Sequence, residues 1–135
     1  MQKFVILASV ILMLLIFLFS ACDATLSSMQ SDIIVNYINN FISVNSFLVR
    51  KLAHFFLFFL LEMLVYFSIR SIKYSFIFVS LYAILDEVHQ YFVPGRSCEL
   101  RDMIIDISGC VLAIILITLG RYFNDKRTKN NRENS

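Results

Sequence analysis

Phe4-Val-Ile-Leu-Ala-Ser-Val-Ile-Leu-Met-Leu-Leu-Ile-Phe-Leu-Phe-Ser-Ala-Cys22 decides the fold. It is apolar on every side, with no charge, glycine or proline, and about the length that carries a helix across a hydrocarbon core. Three further stretches have the same character. Leu52–Ile69 is broken only by His54 and Glu62, Tyr74–Phe92 turns polar at its end, and Met103–Phe123 is interrupted by Asp106. Backbone in lipid must satisfy its own hydrogen bonds, so each is expected to be a helix.

Composition agrees. Of 135 residues, 59% are hydrophobic and 16% charged, against about 45–50% and 25% in soluble domains. Mean hydropathy is +0.73. A soluble core of this size cannot hide so much apolar surface. The expected fold is all-α, a single membrane domain over residues 1–135 with four transmembrane helices in up-down hairpins. With a net charge of only +2, and many of its basic residues in the tail, the chain offers no case for nucleic-acid binding.

The connections fit hairpins. Arg70–Lys73 is a tight turn, and Val93-Pro94-Gly95-Arg96 carries a strong turn signal, with Pro94 ending the third helix. The outer loop 23–51 holds an amphipathic stretch, Ile33–Ile42, read as an interfacial helix. The polar tail 124–135 is expected to be disordered. Lys3, Arg70, Lys73, Arg121, Lys126, Arg127, Lys129 and Arg132 fall on one side, and Arg50, Lys51, Arg96 and Arg101 on the other. That asymmetry places both termini in the cytoplasm.

The first segment has a second reading. Lys3, the apolar run and Phe19-Ser20-Ala21-Cys22 resemble a lipoprotein signal, which would leave three spans and a lipid on Cys22. Three cysteines, Cys22, Cys98 and Cys110, form no CxxC pair. A Cys22–Cys98 disulfide at the outer surface is one option, and Cys110 reads as a buried small residue.

Polar side chains gather at the outer end. Lys51 and His54 are three apart on the second helix. Asp86, His89 and Gln90 share one face of the third, with Glu87 about 100° round. Asp102 and Asp106 are four apart on the fourth, above Gly109, Cys110 and Ala113. Gly109 and Ala113 form a small-xxx-small pair suited to close helix approach. The hairpin through Pro94-Gly95-Arg96 brings the third and fourth helices together, so these groups, with Arg96 and Arg101, are expected to share one outer pocket. Such residues in a membrane segment are a functional-site hypothesis by default.

Lys51-Leu-Ala-His54-Phe, Asp86-Glu87-Val-His89-Gln90-Tyr-Phe-Val-Pro94-Gly95-Arg96 and Arg101-Asp102-Met-Ile-Ile-Asp106-Ile-Ser-Gly109 together resemble the VanZ-like family of bacterial membrane proteins, over roughly residues 4–120. The resemblance implies a site at the cell envelope and a link to resistance against teicoplanin, a glycopeptide antibiotic. It supplies no reaction. Leu57 and Phe58 stand where members often carry Glu and Tyr, and Glu62 appears one turn deeper.

Three readings of the cluster remain open. In the first, its ion pairs only lock helices together. In the second, Lys51, Gln90, Arg96, Arg101, Asp102 and Asp106 form a binding site for an anionic envelope component, either a lipid phosphate or a lipid-linked cell-wall precursor. In the third, His54 or His89 acts as a general base oriented by Asp86, Glu87 or Asp102. Ser97 and Cys98 lie in no nucleophile motif. A metal held by His54, Asp86, His89 and Asp106 is a variant of the third reading that matches no standard spacing. No cofactor or metal is expected, and membrane lipids are the expected partners. Oligomeric state is not legible. Four short spans without inverted repeats leave little room for alternating access.

Overall fold

The computed structural model describes residues 2–22, 29, 32–35, 46–96 and 99–133. It contains four long helices, α1 (Gln2–Ala21), α2 (Ser46–Ile69), α3 (Ile72–Tyr91) and α4 (Leu100–Glu133), and no strand among the described residues. Residues 32–35 are also helical, while the rest of the amphipathic stretch lies outside the described residues, as does Cys98.

Successive helices run in opposite directions. Gln2 Nε2, at the start of α1, donates to the carbonyl of Ser68 near the end of α2. Lys51, His54 and Phe58 of α2 meet Asp102, Asp106 and Cys110 of α4 in the same order. Thus α2 and α4 run parallel, and α1 and α3 run the other way. Helix α2 touches all three others and makes its widest contact with α4.

Two short turns enforce this arrangement. Arg70 closes α2 by donating its N–H to the carbonyl of Tyr66 (2.7 Å) and adopts φ 61°. That left-handed conformation is uncommon for a side-chain-bearing residue. After it, Ser71 is extended and α3 begins. At the other end Gly95 has φ 75°, where a glycine carries no Cβ penalty.

The interior and the surface exchange their usual chemistry. Glu62 and Glu87 are fully buried and Asp106 is 1% exposed, whereas Leu18, Phe56, Leu85 and Ile104 are 58–67% exposed. A soluble fold avoids this arrangement, because water charges for exposed apolar surface and supplies nothing to buried carboxylates. In a bilayer it is the expected distribution. An apolar layer of Leu12, Ile16, Phe58, Leu61, Val65, Val79, Ala83 and Cys110 joins the four helices below the polar end. Within the bundle, Glu62 Oε1 accepts a hydrogen bond from Ser75 Oγ at 2.7 Å.

The small residues on α4 serve the packing expected of them. Gly109, Cys110 and Ala113 are buried, and a Cβ on Gly109 would collide with the Phe55 carbonyl and approach Phe59 N to 3.1 Å. The α2 and α4 backbones meet there directly.

Helices α1, α2 and α4 are long and apolar enough to cross a membrane. Helix α3 has 20 residues but ends in Asp86, Glu87, His89 and Gln90, which lower its apolar character. The tail departs from expectation. Helix α4 continues through residues 124–133, where composition predicts disorder. Nothing after Gly120 breaks a helix, and Arg, Lys and Glu are good helix formers. Thr128 Oγ1 also bonds to the Asn124 carbonyl at 2.9 Å. At 34 residues α4 is about 51 Å long, exceeding a hydrocarbon core of about 30 Å.

Candidate functional site

The polar groups converge where α2 and α4 begin and α1 and α3 end. Lys51 forms an ion pair with Asp102. One turn deeper, His54 Nδ1 lies 3.7 Å from Asp106 Oδ1, a charge contact longer than a hydrogen bond. Asp86 reaches the same place from α3, and one ligating atom from each of His54, Asp86 and Asp106 lies within 4.8 Å of the others.

Asp86 is held on its far side. Its Oδ2 accepts hydrogen bonds from Ser20 Oγ (2.7 Å) and Gln90 Nε2 (3.0 Å). The Gln90 amide also lies 3.4 Å from Ser20 Oγ. Glu87 faces the α3–α4 connection, where its Oε2 accepts the N–H of Glu99 at 3.1 Å. The opposite oxygens, Asp86 Oδ1 and Glu87 Oε1, and both oxygens of Asp106 are buried without a hydrogen-bond donor among the described residues.

Not every predicted site residue joins this group. His89 stacks on Phe17 of α1, with ring centroids 4.5 Å apart and planes inclined at 29°. It therefore stands outside the trio of His54, Asp86 and Asp106. Arg101 is exposed at the start of α4. Arg96 is partly buried, and burial pulls its pKa down. The nearby Arg50 guanidinium acts in the same direction, while Asp86, Cys22 and Glu87 oppose it. Phe58 is buried with its ring 6.5 Å from that of His54 and 6.0 Å from that of Tyr82.

Sequence reasoning passed over Ser20, Phe17 and Arg50. Ser20 had a signal, because Ser9, Leu12, Ile16 and Ser20 form one buried stripe at helical spacing. The Phe17 contact had none, since α1 is apolar all round. Arg50 had none either, since only the fold brings it near Arg96.

The ion pair at the mouth gives a first expected result. Lys51 and Asp102 side chains are 16% and 20% exposed. Replacing Lys51 with Met leaves a mostly buried carboxylate without its cation and costs about 2 kcal/mol. The Lys51→Met/Asp102→Leu pair recovers most of that loss. Thermal unfolding in detergent of both single variants and the double variant measures the coupling.

A bundle with carboxylates inside and phenylalanines outside, closed by long apolar helices, is a membrane protein. The model of the VanZ/LLP1 family matches residues 4–121, nearly the whole chain, and the protein belongs to that family. No curated protein and no solved structure matches it.

Proposed function

We propose that this VanZ-type protein spans the bacterial cytoplasmic membrane four times, with both termini in the cytoplasm. Its outward-facing polar end binds an anionic component of the cell envelope. Arg96 and Arg50 supply the positive charge, and the ligand is a lipid phosphate or the anionic group of a lipid-linked cell-wall precursor. The link to teicoplanin resistance that the family resemblance implies fits such a ligand.

The observation that carries this reading is the pairing of like charges. Arg50 lies near enough to the partly buried Arg96 to act against its charge. Guanidinium groups brought together where water is scarce repel unless an anion lies between them, and their forked donors match phosphate and carboxylate. Asp86 and Glu87 provide part of the compensation from the interior side.

A second reading, an acid–base enzyme on the same lipid, draws on His54. Its imidazole sits beside Asp106 and near Asp86, an arrangement that can orient a ring and stabilise its protonated form. His89, stacked on Phe17, stands outside that group.

Purified protein in nanodiscs tests binding with a fluorescent short-chain phosphatidic acid, and phosphatidylcholine of equal chain length as control. Saturable binding confined to phosphatidic acid supports the reading. Equal uptake of both lipids contradicts it. Release of inorganic phosphate that requires His54 selects the enzyme.

A further inference from the structure

Helices α2, α3 and α4 each send one side chain to a single buried point. His54, Asp86 and Asp106 present ligating atoms within 4.8 Å of one another. Asp86 is 3% exposed and Asp106 1%. Ser20 and Gln90 fasten Asp86 by Oδ2 alone. That leaves Asp86 Oδ1 and both Asp106 oxygens buried with no donor among the described residues.

Buried carboxylates normally collect hydrogen-bond donors, so several unsatisfied oxygens beside one imidazole suit a cation held between them. We propose that His54, Asp86 and Asp106 bind a single divalent transition-metal ion, of the zinc or manganese type. Two carboxylates and a dication sum to zero charge, which suits a site with little water. The imidazole disfavours calcium and magnesium, which prefer all-oxygen shells.

Three protein ligands leave a coordination position open, as in catalytic rather than structural zinc sites. The Ser20 and Gln90 hydrogen bonds hold the Asp86 carboxylate by one oxygen and free the other, the usual support for a metal-binding carboxylate. Zinc–ligand bonds of about 2.0–2.2 Å require the three side chains to draw together slightly. Tetrahedral bonds of that length set ligand atoms about 3.4 Å apart, and the His54–Asp106 separation of 3.7 Å is already close to it. His54 is 20% exposed and gives the ion a way in.

The test uses full-length protein in detergent, with Cys22 and Cys98 changed to Ser so that the fully buried Cys110 is the one thiol left. After treatment with chelator, Zn²⁺ is titrated by calorimetry and Co²⁺ by visible absorption. The expected result is one ion per chain, with Co²⁺ bands of a nitrogen–oxygen site. Asp106→Asn and His54→Gln weaken binding at least tenfold, while Glu62→Gln, a buried carboxylate elsewhere in the bundle, leaves it unchanged.

Absence of stoichiometric binding, or equal binding by Asp106→Asn, overturns the proposal. If Asp106→Asn does not accumulate, the more exposed His54→Gln decides in the same way. No anionic lipid enters the assay, so its result is independent of the lipid-binding reading.

Discussion

Gly109→Ala destabilises the bundle by about 3 kcal/mol, the upper part of the range for overpacking. The added Cβ meets the Phe55 carbonyl and the Phe59 nitrogen. Both belong to the α2 backbone, so no flexible side chain can yield. Relief requires α2 and α4 to separate, and that loosens Cys110 against Phe58 and His54 against Asp106. Gly109→Val prevents accumulation. Gly120→Ala is the control, because nothing lies within 4 Å of its added Cβ. It stabilises α4 by up to about 1 kcal/mol through helix propensity. Thermal melts in one detergent compare the variants. Equal melting of Gly109→Ala and wild type would mean that the two backbones do not touch.

The Arg50→Ala/Arg96→Ala variant loses phosphatidic acid binding by about 100-fold or more. Each guanidinium contributes a charge-assisted bond of about 1.5–3 kcal/mol. Two such bonds exceed the 2.7 kcal/mol or so that a hundredfold change represents. Thermal melts of the same variant separate lost binding from lost fold, since Asp86 and Glu87 favour the Arg96 charge while Arg50 opposes it. Arg96→Lys restores charge without the planar fork and recovers only part of the affinity. If the double variant binds phosphatidic acid as wild type does, the positive charges at this end do not hold the ligand.

Much of the architecture is legible because bilayer chemistry writes plainly. Apolar runs of helical length and the Pro94-Gly95 turn predict helices and a hairpin, and α1 to α4 occupy those positions. The Asp102/Asp106 spacing likewise predicts one stripe, and both face α2. Less is legible where two distant helices meet. Helix α1 is apolar almost all round, so Ser9 and Ser20 alone mark the face that turns inward, and nothing marks Phe17 as the ring that meets His89. The helical tail was obscured for another reason. Low hydrophobicity argues for disorder when a segment stands alone, but residues 124–133 extend a helix already nucleated within the bundle.

The acid-rich interior also changes the view of the candidate ligand site. Spacing alone groups Lys51, Arg96 and Arg101 as one cationic set. In the fold, Lys51 is paired with Asp102, Arg101 is exposed, and Arg50 stands near Arg96. The positive charge therefore lies at the rim, above carboxylates that an anion would avoid.

On the proposed topology this polar end opens to the outside of the cell. Arg96→Cys, in a chain with Cys22 and Cys98 changed to Ser, tests it in intact cells with a membrane-impermeant maleimide. Cys110 is fully buried and should remain silent. Labelling before permeabilisation is the expected result. Labelling that appears only after the membrane is opened would put the polar end in the cytoplasm and contradict it.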